Sequence, residues 1–294
     1  VPSRGEDRFT IVHADGSKVP VGCTCSVWRG TAQALEGAVA VLNDLTLAEE
    51  LARERQEAEH LALIRVLSAG MAHEIRNPLV AIRTFSELLP ERWEDAEFQV
   101  RFQKIASQEI DRIERLLTDL LMLSKPADAV VEPMDINSVC TGALAALSAL
   151  AEAQGVELVS NLEPIRARPL GDESRLHQAL VNLIKNGIEH EPVGGRVEVS
   201  TSLIGGYDGH GRILVTVYNP SSEVPEEQQT LIFKPFYSKR EGGTGLGLVI
   251  CQTIIEEHHG SITVTSRPGQ GTEFAVELPV ETATREYAYG RATG

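Results

Sequence analysis

Two long helical patterns in the first half of the chain constrain its fold more than any other feature. In the first, apolar residues recur at steps near three, four or seven from about Leu47 to Leu89. The second follows the break PERWED and stops at Ser124-Lys125-Pro126, and its apolar stripe is Phe102, Ala106, Ile110, Ile113, Leu117 and Leu120. A hairpin of two such helices cannot cover its own stripe, so the sequence predicts a homodimer whose two hairpins form a four-helix bundle.

The acidic composition excludes some classes of partner. The formal net charge is −15, which disfavours direct binding of nucleic acid or of an anionic membrane surface. Any phosphate bound by this chain must therefore meet local donors or a divalent cation. The four cysteines form no CxxC pair, so the sequence indicates neither a zinc framework nor a disulfide scaffold.

No segment of the sequence reads as a membrane span or a signal peptide. We therefore expect a cytoplasmic location and no membrane contact for this part of the protein. The chain begins at Val1 without methionine and soon enters strand-like sequence, so we expect a fragment. The sequence leaves open whether a longer parent protein is anchored in a membrane upstream.

Strand patterns lie on both sides of the helical hairpin. Residues 8–45 alternate like antiparallel strands, with a hairpin signal at Asp15-Gly16, and are too few for a stable domain alone. After the linker KPADAVVEPMD, helices are predicted at about 137–154, 173–190 and 244–258, mixed with five strands. This order predicts a multidomain α+β protein rather than strict βαβ alternation.

The segment AHEIRNPL carries His73, which could in principle be a metal ligand, a core residue or a nucleophile. A zinc HExxH motif needs a second histidine where this chain has Asn77. His73 falls opposite Met71, which belongs to the apolar stripe, so we expect an exposed histidine beside small residues. Glu74 would then accept a proton or orient the imidazole, and Pro78 would loosen the helix beyond it.

Two further segments predict a site for phosphate groups. In GDESRLHQALVNLIKNGIEH, Gln178, Asn182 and Asn186 share one helix face, where amide oxygens suit Mg²⁺. In REGGTGLGL, a glycine cluster precedes an apolar helix, a layout that turns backbone N–H groups towards phosphate oxygens. The glycine cluster alone is weak evidence, but the amide-lined helix and two phenylalanines precede it at ordered distances.

The segments AGMAHEIRNPL, NLIKNGIEH, IFKPFYSK and GGTGLGLVICQTIIEEHHGSITVTSRPGQGTEFAVELP together resemble the H, N, F and second glycine boxes of two-component sensor histidine kinases. The resemblance runs from about residue 47 to 280. It implies a signalling coiled-coil linker at 46–60, a dimerisation and phosphotransfer hairpin at 61–126, an α/β-sandwich ATP-binding domain at 134–282 and a disordered tail at 283–294. Residues 1–45 resemble the last strands of a PAS sensor domain, which would be a truncated β-sheet here.

The resemblance also implies functions for individual residues. His73 would accept the phosphoryl group with Glu74 as its base, and Asn77 would position water for dephosphorylating the partner. Asn186 would hold Mg²⁺ and Asn182 would support the phosphates of ATP. The remaining residues implied for the nucleotide site are Lys185, Asn219, Phe233, Arg240, Gly243, Thr244, Gly245, Leu246 and Gly247. The implied partners are a second copy of the chain and the receiver domain of a response regulator.

The sequence departs from the family at the first glycine box, where it reads NPSSEVP. Asn219 stands at the aspartate that normally accepts a hydrogen bond from the adenine amino group, and Ser221 and Glu223 stand at two glycines. If those backbone angles are left-handed, each non-glycine residue costs roughly 1 kcal/mol or more. Arg240 stands where lysine is frequent, and Glu189 where a cation is common.

The function predicted from these segments is an ATP-dependent histidine kinase that autophosphorylates His73 and transfers the phosphoryl group to an aspartate of a response regulator. Two other functions compete with it. The second, prompted by NPSSEVP, is a signalling scaffold or phosphatase with an impaired nucleotide site. The third is an ATPase of the gyrase, mismatch-repair and chaperone type. Those ATPases share the nucleotide motifs with this chain, but they lack its hairpin with HEIRNP.

Overall fold

The computed structural model describes residues 7–12, 18–29, 35–124, 132–205, 211–238 and 243–280. It divides into two compact units, Val1–Ser68 and Ala69–Gly294. The predicted Asp15-Gly16 turn and the tail at 283–294 lie outside the described residues.

The first unit contains a three-stranded antiparallel sheet in the order β1-β2-β3. Its strands are β1 (Asp7–Val12), β2 (Lys18–Arg29) and β3 (Leu35–Asp44), followed by the first part of helix α1 (Thr46–Leu88). Oδ1 of Asp44 accepts bonds from the hydroxyl and the N–H of Thr46 at 2.6 and 2.9 Å, which lowers the pKa of that carboxyl. The structure contains the antiparallel strands that the sequence predicted for residues 8–45. Their assignment to a PAS domain stays a prediction.

The second unit begins with a helical hairpin made of the rest of α1 and of α2 (Ala96–Ser124). The helix α1 continues through Pro78 rather than ending there. Oδ1 of Asp95 accepts the N–H of Phe98 at 3.0 Å and caps α2, while the rings of Phe85 and Phe98 lie 5.9 Å apart. Both helices were predicted with nearly these bounds, because their apolar residues keep helical spacing.

The remainder of the second unit is a mixed sheet with helices. A short antiparallel pair joins β4 (Glu132–Pro133) to β6 (Leu170–Gly171), and a five-stranded sheet has the order β5-β7-β8-β10-β9. Its strands are β5 (Glu157–Leu162), β7 (Arg196–Ile204), β8 (Arg212–Asn219), β9 (Ser261–Arg267) and β10 (Gly271–Pro279). β5 runs parallel to β7, and the other neighbours are antiparallel. The α+β prediction is confirmed.

Four helices complete this part: α3 (Ile136–Gln154), α4 (Glu173–His190), the short α5 (Glu226–Gln229) and α6 (Gly247–Glu257). The alternating buried residues of β7, β8 and β10 form the core with α3, α4 and α6, and α4 lies between the other two. Within the described residues, α3 is the one helix long and apolar enough to cross a membrane by length and composition. Its apolar face is used here, where Val139, Ala143 and Leu147 are buried in the core.

Candidate functional site

A cleft of about 1160 Å³ lies in the second unit between α2, α4, the segment after β8 and the segment before α6. Its volume suits a ligand of the size of a nucleoside triphosphate. The predicted site residues that line it are Asn182, Lys185, Asn186, Asn219, Gly243, Thr244, Gly245 and Gly247. His73, Glu74, Asn77, Phe233 and Leu246 do not line it, and Arg240 lies outside the described residues.

The helix α4 supplies the amide side of the cleft. Asp172 caps it by accepting the N–H of Arg175 at 3.1 Å, which fixes the helix start and hence the direction of each face. Leucine and isoleucine residues face the core, so Gln178, Asn182 and Asn186 turn to the cleft. Nε2 of Gln178 donates to Oδ1 of Asn182 at 3.1 Å. Asn182 therefore uses Oδ1 as an acceptor along this face of the helix.

The segment after β8 forms the second wall. Asn219 ends β8 on the same buried register as Val215 and Val217, and only 2% of it is exposed. Within the described residues, the non-glycine residues with positive φ are Phe236 and His259, so neither Ser221 nor Glu223 is left-handed. The loss of two glycines therefore brings no such strain.

Side-chain hydrogen bonds hold this segment on the sheet. Glu191 accepts the N–H of Ser221 at 3.1 Å, and the hydroxyl of Thr272 donates to the carbonyl of Ser222 at 2.9 Å. The N–H of Val224 donates to the hydroxyl of Ser266 at 2.9 Å. The segment has defined partners despite its unusual sequence.

The glycine turn, residues 243–247, forms the third wall and leads into α6. Gly245 has φ 65°, and its carbonyl accepts the N–H of Phe236 at 3.1 Å. A Cβ on Gly245 would lie 2.6 Å from the carbonyl carbon of Phe236, so this position requires glycine. Gly247 begins α6, whose first N–H groups are available to an anion.

The fourth wall is α2, which the sequence did not predict as part of the site. Arg112, Arg115 and Asp119 line the cleft from its polar face. The hydroxyl of Thr244 donates to Oδ2 of Asp119 at 2.9 Å. Burial raises the pKa of Asp119, opposed by the Thr244 hydrogen bond and by the charges of Lys185 and Arg115.

His73 is exposed on α1, as the sequence pattern predicted. Oε2 of the adjacent Glu74 pairs with a guanidinium nitrogen of Arg112 at 2.7 Å. One turn before His73, the ring of Phe236 occupies the space that a side chain on Gly70 would need. The small residue at position 70 thus admits another part of the same unit close to His73. Asn77 is exposed on the next turn.

Two family profiles match this chain. Residues 63–128 match the His Kinase A (phospho-acceptor) domain. Residues 171–282 match the Histidine kinase-, DNA gyrase B-, and HSP90-like ATPase. The first match contains His73, and the second contains the amide helix, the first glycine box and the glycine turn.

Named relatives resemble both segments together. Sporulation kinase C of Bacillus subtilis is 33% identical over 257 residues, which cover 83% of this chain and 58% of that protein. Sensor histidine kinase ZraS of Salmonella typhimurium is 32% identical over 264 residues, covering 86% of this chain and 56% of that protein. The chain thus spans less than two thirds of these relatives.

Solved structures share the fold over most of the chain. Histidine kinase ThkA, in complex with the response regulator protein TrrA, is 26% identical and has a TM-score of 0.66, covering 94% of this chain and 79% of that one. Full-length ShkA in complex with AMPPNP is 25% identical and has a TM-score of 0.54, covering 73% of this chain and 46% of that one.

Proposed function

This chain belongs to the two-component sensor histidine kinases, and we propose that it transfers the γ-phosphoryl group of Mg-ATP to His73 and then to an aspartate of a response regulator. The observation that carries the proposal is the pairing, in one compact unit, of an exposed histidine with a cleft of amides and a glycine turn. Phosphoryl transfer needs positioning and charge neutralisation, which such groups supply.

The two amides on α4 suit different parts of a nucleotide. Oδ1 of Asn182 already accepts a bond from Gln178, which leaves Nδ2 to donate to a phosphate oxygen. Asn186 has an amide oxygen of the kind that Mg²⁺ takes, with phosphates and water completing its shell. We therefore assign phosphate binding to Asn182 and the cation to Asn186.

Charge and backbone donors complete the proposed nucleotide site. Lys185 brings a positive charge to the cleft, and Thr244 and the glycines of the glycine turn would lie over the phosphates. Leu246 is buried, and we keep it in the site only by its place in the motif. Phe233 would support the site through Phe274, which lines the cleft. The centroids of the two rings lie 6.5 Å apart, and the rings meet edge-on. We keep Arg240 as a phosphate ligand by its sequence position alone.

In the chemical step, an imidazole nitrogen of His73 attacks the γ-phosphorus. A P–N bond forms, the bond from phosphorus to the β–γ bridging oxygen breaks, and ADP takes the electron pair. The proton on the other ring nitrogen passes to Glu74. Oε2 of Glu74 pairs with Arg112, which leaves Oε1 as the proposed proton acceptor. His73 lies outside the cleft lining, so transfer requires the hairpin and the cleft to approach each other or a second copy to contribute His73.

The proposed partners follow from the same two segments. The hairpin would form a homodimer through its exposed apolar residues, and a receiver domain would dock beside His73. Asn77, one turn beyond His73 and exposed, would orient water for dephosphorylating that partner. We propose that this part of the protein works in the cytoplasm, and that residues 1–45 end a PAS-like sensor domain.

The second candidate is a scaffold or phosphatase that does not turn over nucleotide. The observation that favours it is the altered first glycine box, NPSSEVP. The absence of left-handed angles at Ser221 and Glu223 weakens it, because the changed segment keeps an unstrained path. The gyrase-type ATPase is disfavoured because residues 63–128 match a phospho-acceptor domain.

Autophosphorylation tests the proposal directly. The full chain is incubated with Mg²⁺ and γ-labelled ATP, and the retained label is followed through acid and base. We expect an acid-labile, base-stable label that His73→Gln abolishes and that the matched variant His60→Gln retains.

Each alternative leaves its own result. Label on His73→Gln at the level of the unmodified chain contradicts phosphotransfer to His73. ATP hydrolysis without a phosphoprotein indicates the gyrase-type ATPase. Absence of both nucleotide binding and label indicates the scaffold.

A further inference from the structure

The amide of Asn219 lines the cleft in an unusual setting. Asn219 continues the inward register of Val215 and Val217 on β8, so a polar group occupies a position that belongs to the core. Its amide lies against Gly187 of α4. A Cβ at Gly187 would be 2.9 Å from Nδ2 and 3.0 Å from Oδ1, so the absence of a side chain makes this space.

The Nδ2 group of Asn219 is buried and has no hydrogen-bond partner within the described residues. A buried donor without a partner is unfavourable, and a ligand that supplies an acceptor relieves this. A half-turn of the amide also exchanges Oδ1 and Nδ2 without breaking a hydrogen bond of Nδ2. The side chain can therefore present either an acceptor or a donor to the cleft.

We propose that Asn219 reads position 6 of the purine and that the site takes both 6-amino and 6-oxo purine nucleoside triphosphates. This inference rests on the proposed nucleotide-dependent function. With Oδ1 towards the ligand, Asn219 accepts a hydrogen bond from the 6-amino group of adenine. With Nδ2 towards the ligand, it donates to the 6-oxo oxygen of guanine or hypoxanthine.

An aspartate at this position has no such choice. Its carboxylate only accepts, so it favours a 6-amino group and meets the 6-oxo oxygen with two acceptors facing each other. The change from aspartate to asparagine in NPSSEVP thus removes the element that rejects 6-oxo purines. The amides of α4 and the glycine turn, which also line the cleft, are assigned to the phosphates and are common to both classes of nucleotide.

Equilibrium binding to the full chain tests the inference with Mg²⁺ complexes of AMPPNP, GMPPNP and inosine triphosphate. We expect the dissociation constants of AMPPNP and at least one 6-oxo nucleotide to agree within about tenfold. Asn219→Asp should widen this gap by about tenfold or more. Asn161→Asp, the same change at an exposed position on β5, should leave it unchanged. If Asn219→Asp does not fold, Asn219→Ala should weaken both classes alike.

The outcomes separate this inference from the proposed function. If the chain binds AMPPNP and both 6-oxo nucleotides bind more than about tenfold weaker, the inference is wrong and the proposed function stands. An unchanged ratio in folded Asn219→Asp, or an altered ratio in Asn219→Ala, also overturns it. If no triphosphate binds, the proposed function itself fails.

Discussion

The hydroxyl of Thr244 donates a 2.9 Å hydrogen bond to Oδ2 of Asp119, and this bond connects the glycine turn to α2. The two residues are 125 positions apart in the sequence and belong to the same compact unit. The glycine turn is proposed to lie over the phosphates of ATP. The bond therefore ties this segment to the hairpin that carries His73.

Asp119→Ala should loosen the glycine turn. The variant removes the acceptor of the Thr244 hydroxyl, a loss of about 1 kcal/mol, or roughly fivefold in the opening equilibrium. Hydrogen exchange of the amides at 243–247 in the nucleotide-free chain measures this opening. Glu97→Ala, at an exposed position in the first turn of α2, serves as the control and should leave that exchange unchanged. Equal protection in both variants would contradict a role for the bond.

Asp119 should also make the stability of the second unit depend on pH. Burial raises the pKa of Asp119 while Thr244, Lys185 and Arg115 oppose the rise, so the folded chain holds a proton on Asp119 more tightly than the unfolded chain does. The contribution of this group to the free energy of unfolding is therefore fully present below the ordinary pKa of an aspartate and is lost as pH rises through the raised value. The measurement is the difference in free energy of unfolding between the native chain and Asp119→Asn across this range. A difference independent of pH would contradict the linkage.

Gly70→Ala should separate helix stability from the contact with Phe236. Alanine favours a helix over glycine by roughly 0.5–1 kcal/mol, so α1 itself should gain stability. The added Cβ meets the ring of Phe236, which must move away. Exchange at 234–238 should therefore rise, whereas Gly37→Ala, with no atom near its Cβ, should not affect it. Unchanged exchange at 234–238 in Gly70→Ala would show that this contact does not restrain the segment around Phe236.

Periodicity predicted the α4 side of the site well. Gln178, Asn182 and Asn186 repeat at helical spacing opposite a leucine face, and burial of that face is enough to turn the amides to the cleft. The sequence predicted a role for Asn219 from its position in the first glycine box. It did not predict that Nδ2 lacks a partner among the described residues, because this follows from the packing of Gly187 on α4 against β8.

The α2 wall and the state of Glu74 were not predicted. Arg112, Arg115 and Asp119 lie on the polar face of an amphipathic helix, where charged residues normally indicate nothing more than solvent. Their contacts with residues far along the chain arise from tertiary packing, which no local pattern encodes. For the same reason, nothing in the sequence distinguishes the buried His258 from the exposed His259 beside it.

His258 is expected to stabilise the ATP-binding part of the second unit. Its Nε2 accepts the N–H of Asp172 at 2.9 Å and its Nδ1 donates to the carbonyl of Ile254, so a neutral ring joins the end of α6 to the start of α4. His258→Ala should lower the free energy of unfolding by about 1–2 kcal/mol, because the N–H of Asp172 loses its acceptor and the carbonyl of Ile254 keeps only the N–H of residue 258 as a donor. Urea unfolding followed by circular dichroism measures this. His259→Ala should change little, and equal effects of the two variants would contradict the assignment.

Leu117→Lys should weaken the proposed homodimer. In the single chain Leu117 is 45% exposed, Ile110 49% and Leu121 65%, and their spacing along α2 places all three on one face. A second hairpin would bury this face, so a lysine there should weaken self-association by about 1–3 kcal/mol, or roughly five- to 150-fold. Sedimentation equilibrium measures the change. Leu203→Lys replaces a leucine that is 46% exposed on β7, outside the hairpin, and should leave the dimer intact. If both variants associate like the unmodified chain, the two hairpins do not meet through this face of α2.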